Sequence, residues 1–486
     1  MRVLLSTPPG KTTELWPPLG LLYLASSCAA ERDDEVKVVD AFCENLSEDE
    51  LLLRVSRERP DVLGMNCSTH TFLDTVKFLR RVREVVPDAK IVLGGFHATF
   101  ASERILRAYP FVDYIIKGEG ERSFPDLLEH MGSGSPPSDV AGISYLDGDR
   151  LVSNSEVAIE DLDSLPFPDR SLLKNVEYGY FHKNIRLTFG KFTTVSSSRG
   201  CPFECTYCSC SAFSKRKWRA RSPENVVDEL EMLYSDGYEC CVFVDDNLIL
   251  DRKRVERMCD LIRRKRIRMK FYCEGRVDEV SLELLKTMKR AGFDVMYFGV
   301  ESPNDHVLEY YNKNIDAATA RKAIEDAKRV GMIVVTSYII GAPVESRADV
   351  DKTVDFIRAT RPHGVQINIL DCLIGTKIWG DMERDGLVGP EDWRKNHRIY
   401  DYCEDGSSRG FLEDAVNRGY SAHLESWKSL KGLAEIARMM ARNGTARTVI
   451  MKNLTNADAR SRISDGRRFK SEEMVVPESS RFAELE

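Results

Sequence analysis

Cys201, Cys205 and Cys208 stand in the stretch SSSRGCPFECTYCSC (196–210), spaced x3 and x2. Three thiolates on one short loop can converge on one metal centre. Structural zinc wants four ligands, and no second CxxC or HxxxH pair offers the fourth. A four-iron cluster held by three cysteines leaves one iron open to bind something else. Arg199 and Gly200 precede the triplet and the aromatic Tyr207 precedes its last member. Cys210 lies outside the spacing and is expected to be a thiol packed beneath the loop.

The loop follows the first strand of a βα series. Candidate strands are FTTVSSS, CCVFVDD, MKFYCEG, VMYFGVE, IVVTSYIIG and GVQINIL, separated by amphipathic helices. Six such units predict a barrel two short of the closed eight. Cys240 and Cys241 fall inside a strand and read as core, whereas Cys372, just past the sixth strand, stands at a mouth position. The first ~130 residues alternate strand and helix as well. Their apolar, β-branched runs (RVLLSTPP, VKVVDAF, DVLGMNCS, KIVLGGFHAT, VDYIIKGEGE) predict strands buried on both faces of a doubly wound parallel sheet. Between the two series, GSGSPPSD and the hairpin-like ISYLDGDRLVSN read as a linker with a small β element.

The predicted organisation is therefore α/β: a Rossmann-like domain over 1–135, a linker over 136–190, a partial barrel over 191–385, a mostly helical region over 386–463, and a disordered tail over 464–486. The 486 residues carry 42% hydrophobic and 30% charged side chains and a net charge of −7, which offers no basic face for nucleic acid. The longest apolar stretch, LGLLYLASSCAA (19–30), is too short to span a bilayer. MRVLLSTPPGK reads as a strand entering a turn, not as a signal peptide, so a cytoplasmic location is expected. There thiols stay reduced, and the 13 cysteines point away from a disulfide framework.

The central stretch resembles the radical S-adenosylmethionine (SAM) signature CxxxCxΦC, and residues about 190–380 resemble that superfamily's partial (β/α)6 barrel. The resemblance implies that Cys201, Cys205 and Cys208 hold a 4Fe–4S cluster whose open iron chelates SAM. An electron from an external flavodoxin- or ferredoxin-type donor then yields a 5′-deoxyadenosyl radical. By the same resemblance Asp245 or Asp246 accepts from the SAM ammonium and Arg276 pairs with its carboxylate. Glu301 takes the ribose hydroxyls and Gly341 meets the adenine, with Tyr207 beside the cluster. Asp245, Asp246 and Asn247 also read as ordinary helix N-caps.

The first domain resembles the cobalamin-binding domain of one large branch of that superfamily, through PPLGLLYLA (17–25), DVLGMNCS (61–68), GGFHAT (94–99) and GEGE (118–121). Pro8, Pro9, Ser68, Gly94, Gly95, Gly118 and Glu119 are the implied cofactor contacts. Where methionine synthases and mutases carry Asp-x-His-x-x-Gly, this chain has STPPGKT (6–12), which offers no histidine to the lower face of cobalamin. His70 is the nearest candidate cobalt ligand, and His97 is expected to line the tail pocket.

The pairing implies a C-methyltransferase in which the substrate radical takes its methyl group from methylcobalamin. Its substrate is a protein side chain or a small natural product. Size and the compact C-terminal region lean towards a protein glutamine, as in the archaeal enzymes that modify methyl-coenzyme M reductase. Tetrapyrrole cyclases and aminoglycoside diol dehydratases resemble the chain comparably well, so a non-methylating radical SAM enzyme is the alternative. A non-catalytic iron–sulfur module is the third reading. Substrate choice is expected beyond Gly375, around Trp379, Tyr400, Tyr402 and RGFLED (409–414).

Overall fold

The computed structural model describes residues 1–10, 16–173, 176, 178–179, 181–182, 185–186, 188, 190–398 and 409–455. Tyr400, Tyr402 and the expected tail lie outside the described residues. Five parallel strands form the first sheet: β1 (Arg2–Ser6), β2 (Glu35–Val39), β3 (Val62–Asn66), β4 (Lys90–Gly94) and β5 (Tyr114–Ile116). They stand in the order β2-β1-β3-β4-β5. The order turns back at β1 and β3, and a crevice at the carboxyl ends of those strands is where such sheets bind ligands. One helix of this domain starts on a side-chain cap. Ser47 and Glu50 form a reciprocal capping box ahead of the helix Glu48–Glu58, satisfying two of the first-turn donors.

The hairpin expected as part of a linker is instead the edge of this sheet. Strands β6 (Ile143–Asp147) and β7 (Arg150–Ser153) add antiparallel to β5. Two facts explain the difference. Gly148, at φ +59, makes the two-residue turn, and Ile143 is fully buried against the sheet's apolar face. A bare β5 would also expose a row of unpaired backbone groups.

The second sheet has six parallel strands in sequence order: β8 (Phe192–Val195), β9 (Cys240–Phe243), β10 (Lys270–Arg276), β11 (Phe293–Glu301), β12 (Ile333–Ile340) and β13 (Gly364–Ile369). All six match the strands read from sequence. Their outward residues pack under helices, whereas Phe192, Val242, Tyr272, Val295 and Val335 gather inside as the barrel floor. The C-terminal helices close that floor and one flank. Ala446 joins the floor cluster, and the Tyr420 hydroxyl accepts from the backbone N–H of Ile367 on edge strand β13 at 2.9 Å. Among the described residues no helix is long and apolar enough to cross a membrane.

Candidate cofactor sites at the shared mouth

The Cys201–Cys208 loop leaves β8 and is fixed from below. Asp245, just past β9, accepts from the backbone N–H of Ser197 at 3.1 Å, the Ser197 hydroxyl at 2.7 Å and the Ser198 hydroxyl. It is 2% exposed, and burial raises its pKa. Its oxygens therefore serve the loop, not the mouth. Asp246, exposed, faces the other way and accepts from Gly200 N–H at 2.9 Å. Gly200 has φ +83, and a Cβ there would stand 2.1 Å from the carbonyl of Lys217, so only glycine permits this tight entry to the cysteines.

The three cysteines are all partly buried and free. Burial pushes Cys201 up to about 11 and also raises Cys205, against the pull of Lys313 and Arg276. Cys208 moves down to about 6, because the Cys210 thiol and the N–H groups of Ser211 and Cys210 point at it. Among the described residues no three His, Cys, Asp or Glu groups are placed to hold a single ion. One zinc would draw its sulfurs to about 3.8 Å apart, given a Zn–S distance near 2.3 Å. A four-iron cluster takes each thiolate on a different iron and needs only three of them, whereas a closed zinc site needs a fourth ligand.

Around the loop the strand ends of β10 and β11 converge. Arg276 stacks over the Phe203 ring at 3.7 Å, binds Asp278 through two bonds of 3.0 Å, and donates to the Lys313 carbonyl at 2.8 Å. Glu301 ends β11 at φ +65, where the register with β12 shifts. A side chain held in that left-handed conformation marks a bulge that re-aims it towards the mouth. Its carboxylate accepts from Lys313 Nζ at 3.0 Å and the Ser337 hydroxyl at 3.4 Å. Lys313 also reaches the Tyr207 hydroxyl at 3.4 Å. A Cβ on Gly299 would fall 2.5 Å from Glu301 Oε1, so that glycine makes room for the pair. Gly341, at φ +93 after β12, gives its N–H to Glu345 at 2.5 Å.

A cavity of about 600 Å³ runs from the carboxyl ends of the first sheet to the edge of the cysteine loop at Gly200 and Cys210, within the usual range of small-molecule sites. Its deep wall is apolar, with Leu5, Val92, Ile116 and Phe124, and its upper end meets Asp246 and Cys210. Ser68, Gly94, Gly95, Gly118 and Glu119 are among the residues that line it. Gly95 has φ +94, and a Cβ would stand 2.8 Å from the Cys67 carbonyl. An apolar slot with glycine turns and a polar rim fits a bulky cofactor with a nucleotide tail.

Other expected contacts lie elsewhere. Pro8 and Pro9 are buried behind the end of β1, outside the cavity lining. His70 is also outside it: the exposed imidazole has Asp371 at 3.5 Å. The turn at 68–71 is closed by Ser68 and Thr71, and the half-exposed His70 ring faces Asp371, just past the last barrel strand. His97 is fully buried behind the Gly94–Gly95 turn, stacked on Phe72 at 4.2 Å and bonded to Thr69 at 3.2 Å. Burial lowers its pKa to about 3. Cys372 is buried in a short strand pair with His397, and Cys240 and Cys241 are core.

Sequence reading missed the groups that join the domains. Arg199 binds Glu119 at 3.1 Å and Glu121 at 2.6 Å, and Arg219 binds Glu119 at 2.8 Å. Lys313 was missed too. Its signal is faint: a lone lysine between two asparagines, both with positive φ, in the loop after β11.

Comparison with known proteins follows the same division. Residues 195–357 match the family model of the radical SAM superfamily, and residues 10–128 match that of the B12 binding domain. An uncharacterized methyltransferase of Pyrococcus horikoshii is 30% identical over 403 residues, 81% of this chain and 86% of that protein. The anaerobic magnesium-protoporphyrin IX monomethyl ester cyclase of Rubrivivax gelatinosus is 30% identical over 357 residues, 71% of this chain and 63% of that one. Among solved structures, the radical SAM methyltransferase TsrM from Kitasatospora setae, with cobalamin and a 4Fe–4S cluster bound, gives a TM-score of 0.67 at 17% identity, covering 80% of this chain and 79% of that one. The cobalamin-dependent SAM radical enzyme OxsB gives 0.68 at 16%, covering 96% and 74%. Both share the fold. The radical SAM domain implies a 4Fe–4S cluster and SAM, and the B12 binding domain implies cobalamin. The chain belongs to the radical SAM superfamily, in the branch that carries a B12 binding domain and includes the radical SAM methyltransferases.

Proposed function

We propose that this chain transfers a methyl group to an unactivated carbon, with Cys201, Cys205 and Cys208 holding the cluster. The single observation that supports this reading is the cavity continuous from Gly95 and Phe124 to Asp246, which sets the glycine turns of the first sheet and the two ends of the cysteine loop, Gly200 and Cys210, on one cavity. When bound, the cluster and SAM supply a hydrogen-abstracting radical, and cobalamin supplies the methyl group.

The chain's residues bind and orient. Asp246 is the exposed acceptor beside the loop and suits the SAM ammonium, while Asp245 holds the loop from behind. Arg276 and Lys313 place two guarded cations near Cys205, a setting for the SAM carboxylate. Glu301, restrained by Lys313, offers its remaining lone pairs to ribose hydroxyls. Gly341, buried and with its N–H given to Glu345, is the proposed neighbour of the adenine through its lack of a side chain. Ser68, Gly94, Gly95, Gly118 and Glu119 form the tail slot. The Arg199–Glu121 contact keeps the mouth dry by closing the two domains on each other. His70 stands outside this set. A low-potential donor of the flavodoxin or ferredoxin class supplies the electron, and a cytoplasmic setting suits it. A protein glutamine is the proposed methyl acceptor, with substrate choice beyond Gly375.

The cyclase relative carries the second reading, a radical reaction without methyl transfer. A cobalamin titration of anaerobically reconstituted protein tests the first. One tightly bound cobalamin per chain is expected, and absence of binding with SAM still cleaved would favour the second.

A further inference from the structure

The cysteine loop is a closed excursion from the first barrel strand. Its neck is an antiparallel pair, with Ser198 opposite Ala220 and Arg199 opposite Arg219. Both neck arginines reach the first domain: Arg199 and Arg219 bind Glu119 at 3.1 and 2.8 Å, and Arg199 binds Glu121 at 2.6 Å. The middle of the excursion is tied to the barrel instead. There the Thr206 N–H donates to the Tyr311 carbonyl at 3.0 Å, and the Thr206 hydroxyl donates to the Tyr310 carbonyl at 3.1 Å.

The far limb returns to the first domain. Cys208 directly precedes a short helix, Ser209–Phe213, which at 1.5 Å per residue is about 7.5 Å long. The Phe213 ring packs on Phe96 at 4.4 Å and stands edge-on to Phe100 at 6.4 Å. Phe96 and Phe213 both line the cavity, and Phe96 keeps 39% of its surface exposed. Beyond the helix, Arg216 N–H donates to the Ser211 carbonyl at 2.8 Å, and positive φ at Lys215 and Arg216 turns the chain so that Lys215 and Lys217 line the cavity too. One wall of the cavity is therefore built by barrel residues that follow the last cysteine of the CxxxCxxC triplet. A helix of five residues has no stability of its own, so its place is set by its ends, Cys208 and Phe213.

We propose that the cluster and cobalamin bind cooperatively, through the helix Ser209–Phe213. Ligation at Cys208 fixes the start of this helix, and a cofactor covering Phe96 and Phe213 fixes its end. Whichever group binds first meets the cost of ordering the wall, and the second binds more tightly for it. Phe213 is the positioning residue of this coupling. The proposal rests on the two cofactor sites and not on the reaction, so it holds for methyl transfer and for the cyclase-type alternative alike.

Equilibrium dialysis against hydroxocobalamin tests this. It compares the full chain with its cluster reconstituted anaerobically and the same chain stripped of iron by a chelator under reducing conditions. The dissociation constant should be about tenfold lower with the cluster present. By reciprocity, cobalamin-loaded protein should keep its iron at chelator concentrations that strip the cobalamin-free form. Phe213→Ala should erase the difference, giving one cobalamin dissociation constant with and without the cluster, at full iron content in the reconstituted form. Phe213→Leu, which keeps an apolar contact with Phe96, should retain part of the difference. Equal cobalamin affinity in the two wild-type forms would overturn the coupling. Loss of all cobalamin binding from both wild type and Phe213→Ala on iron removal would also overturn it, because that reports general unfolding and not this helix. No cobalamin binding in any form would instead overturn the cobalamin site itself.

Discussion

Arg199 Nη2 lies 2.6 Å from Glu121 Oε1, so the first domain grips the barrel two residues ahead of Cys201. The guanidinium also sits over the Tyr23 ring at 5.1 Å and reaches Glu119. Burial opposes its charge, but Glu121 and Glu119 outweigh that and raise its pKa. Arg199→Ala strands the buried carboxylate of Glu121, while Glu119 keeps Arg219, and is expected to cost about 3 kcal/mol. Urea unfolding of the holoprotein measures the loss. Glu121→Gln with Arg199→Met, which removes both charges, should recover part of it.

Replacing Cys201, Cys205 and Cys208 together with alanine should remove the broad visible absorbance of the cluster and abolish 5′-deoxyadenosine formation. Retention of either would contradict the assignment. Cys210→Ala should keep both, since that thiol points at Cys208 and stands outside the proposed ligand set.

Lys313 is 7% exposed and holds Glu301 at 3.0 Å. Lys313→Met leaves a buried carboxylate unpaired, so SAM affinity should fall by at least about tenfold, equivalent to 1.4 kcal/mol. Isothermal titration of the reconstituted enzyme reads this directly. Glu301→Gln should weaken SAM less, because a carboxamide still accepts from Lys313.

Gly95→Ala forces a methyl group to 2.8 Å from the Cys67 carbonyl in a backbone region that side chains rarely adopt. A loss of about 1–3 kcal/mol is expected. Cobalamin affinity should fall with it, while cluster content stays the same, since the turn belongs to the first domain alone.

His97 gives a pH dependence. Its folded pKa of about 3 lies below the unfolded value, so the unfolded chain binds the extra proton between these limits. Stability from this group is complete above about pH 6.5 and falls as pH drops, by about 2 kcal/mol at pH 5. Denaturant melts at pH 5 and 7.5 check this, and His97→Leu should flatten that difference.

Local pattern carried much of this protein. The six barrel strands were legible because unbroken β-branched runs between amphipathic helices have one economical packing. The cysteine loop was legible because its spacing is short and local. What escaped depends on residues far apart in the chain. Glu119 looked like a cofactor contact from its glycine-rich turn, yet it also binds Arg199 and Arg219 across the domain boundary. Asp245 and Asp246 are neighbours of one type, and strand alternation sends one behind the loop and the other to the cavity. His70 was chosen by its place after β3, but its ring lies against Asp371, outside the cavity lining.

The most direct measurement is the fate of SAM in the reduced, reconstituted enzyme with and without cobalamin. Methyl transfer predicts S-adenosylhomocysteine that depends on cobalamin, together with 5′-deoxyadenosine. Production of 5′-deoxyadenosine with no cobalamin-dependent S-adenosylhomocysteine would contradict it and give the cyclase-type reading its place.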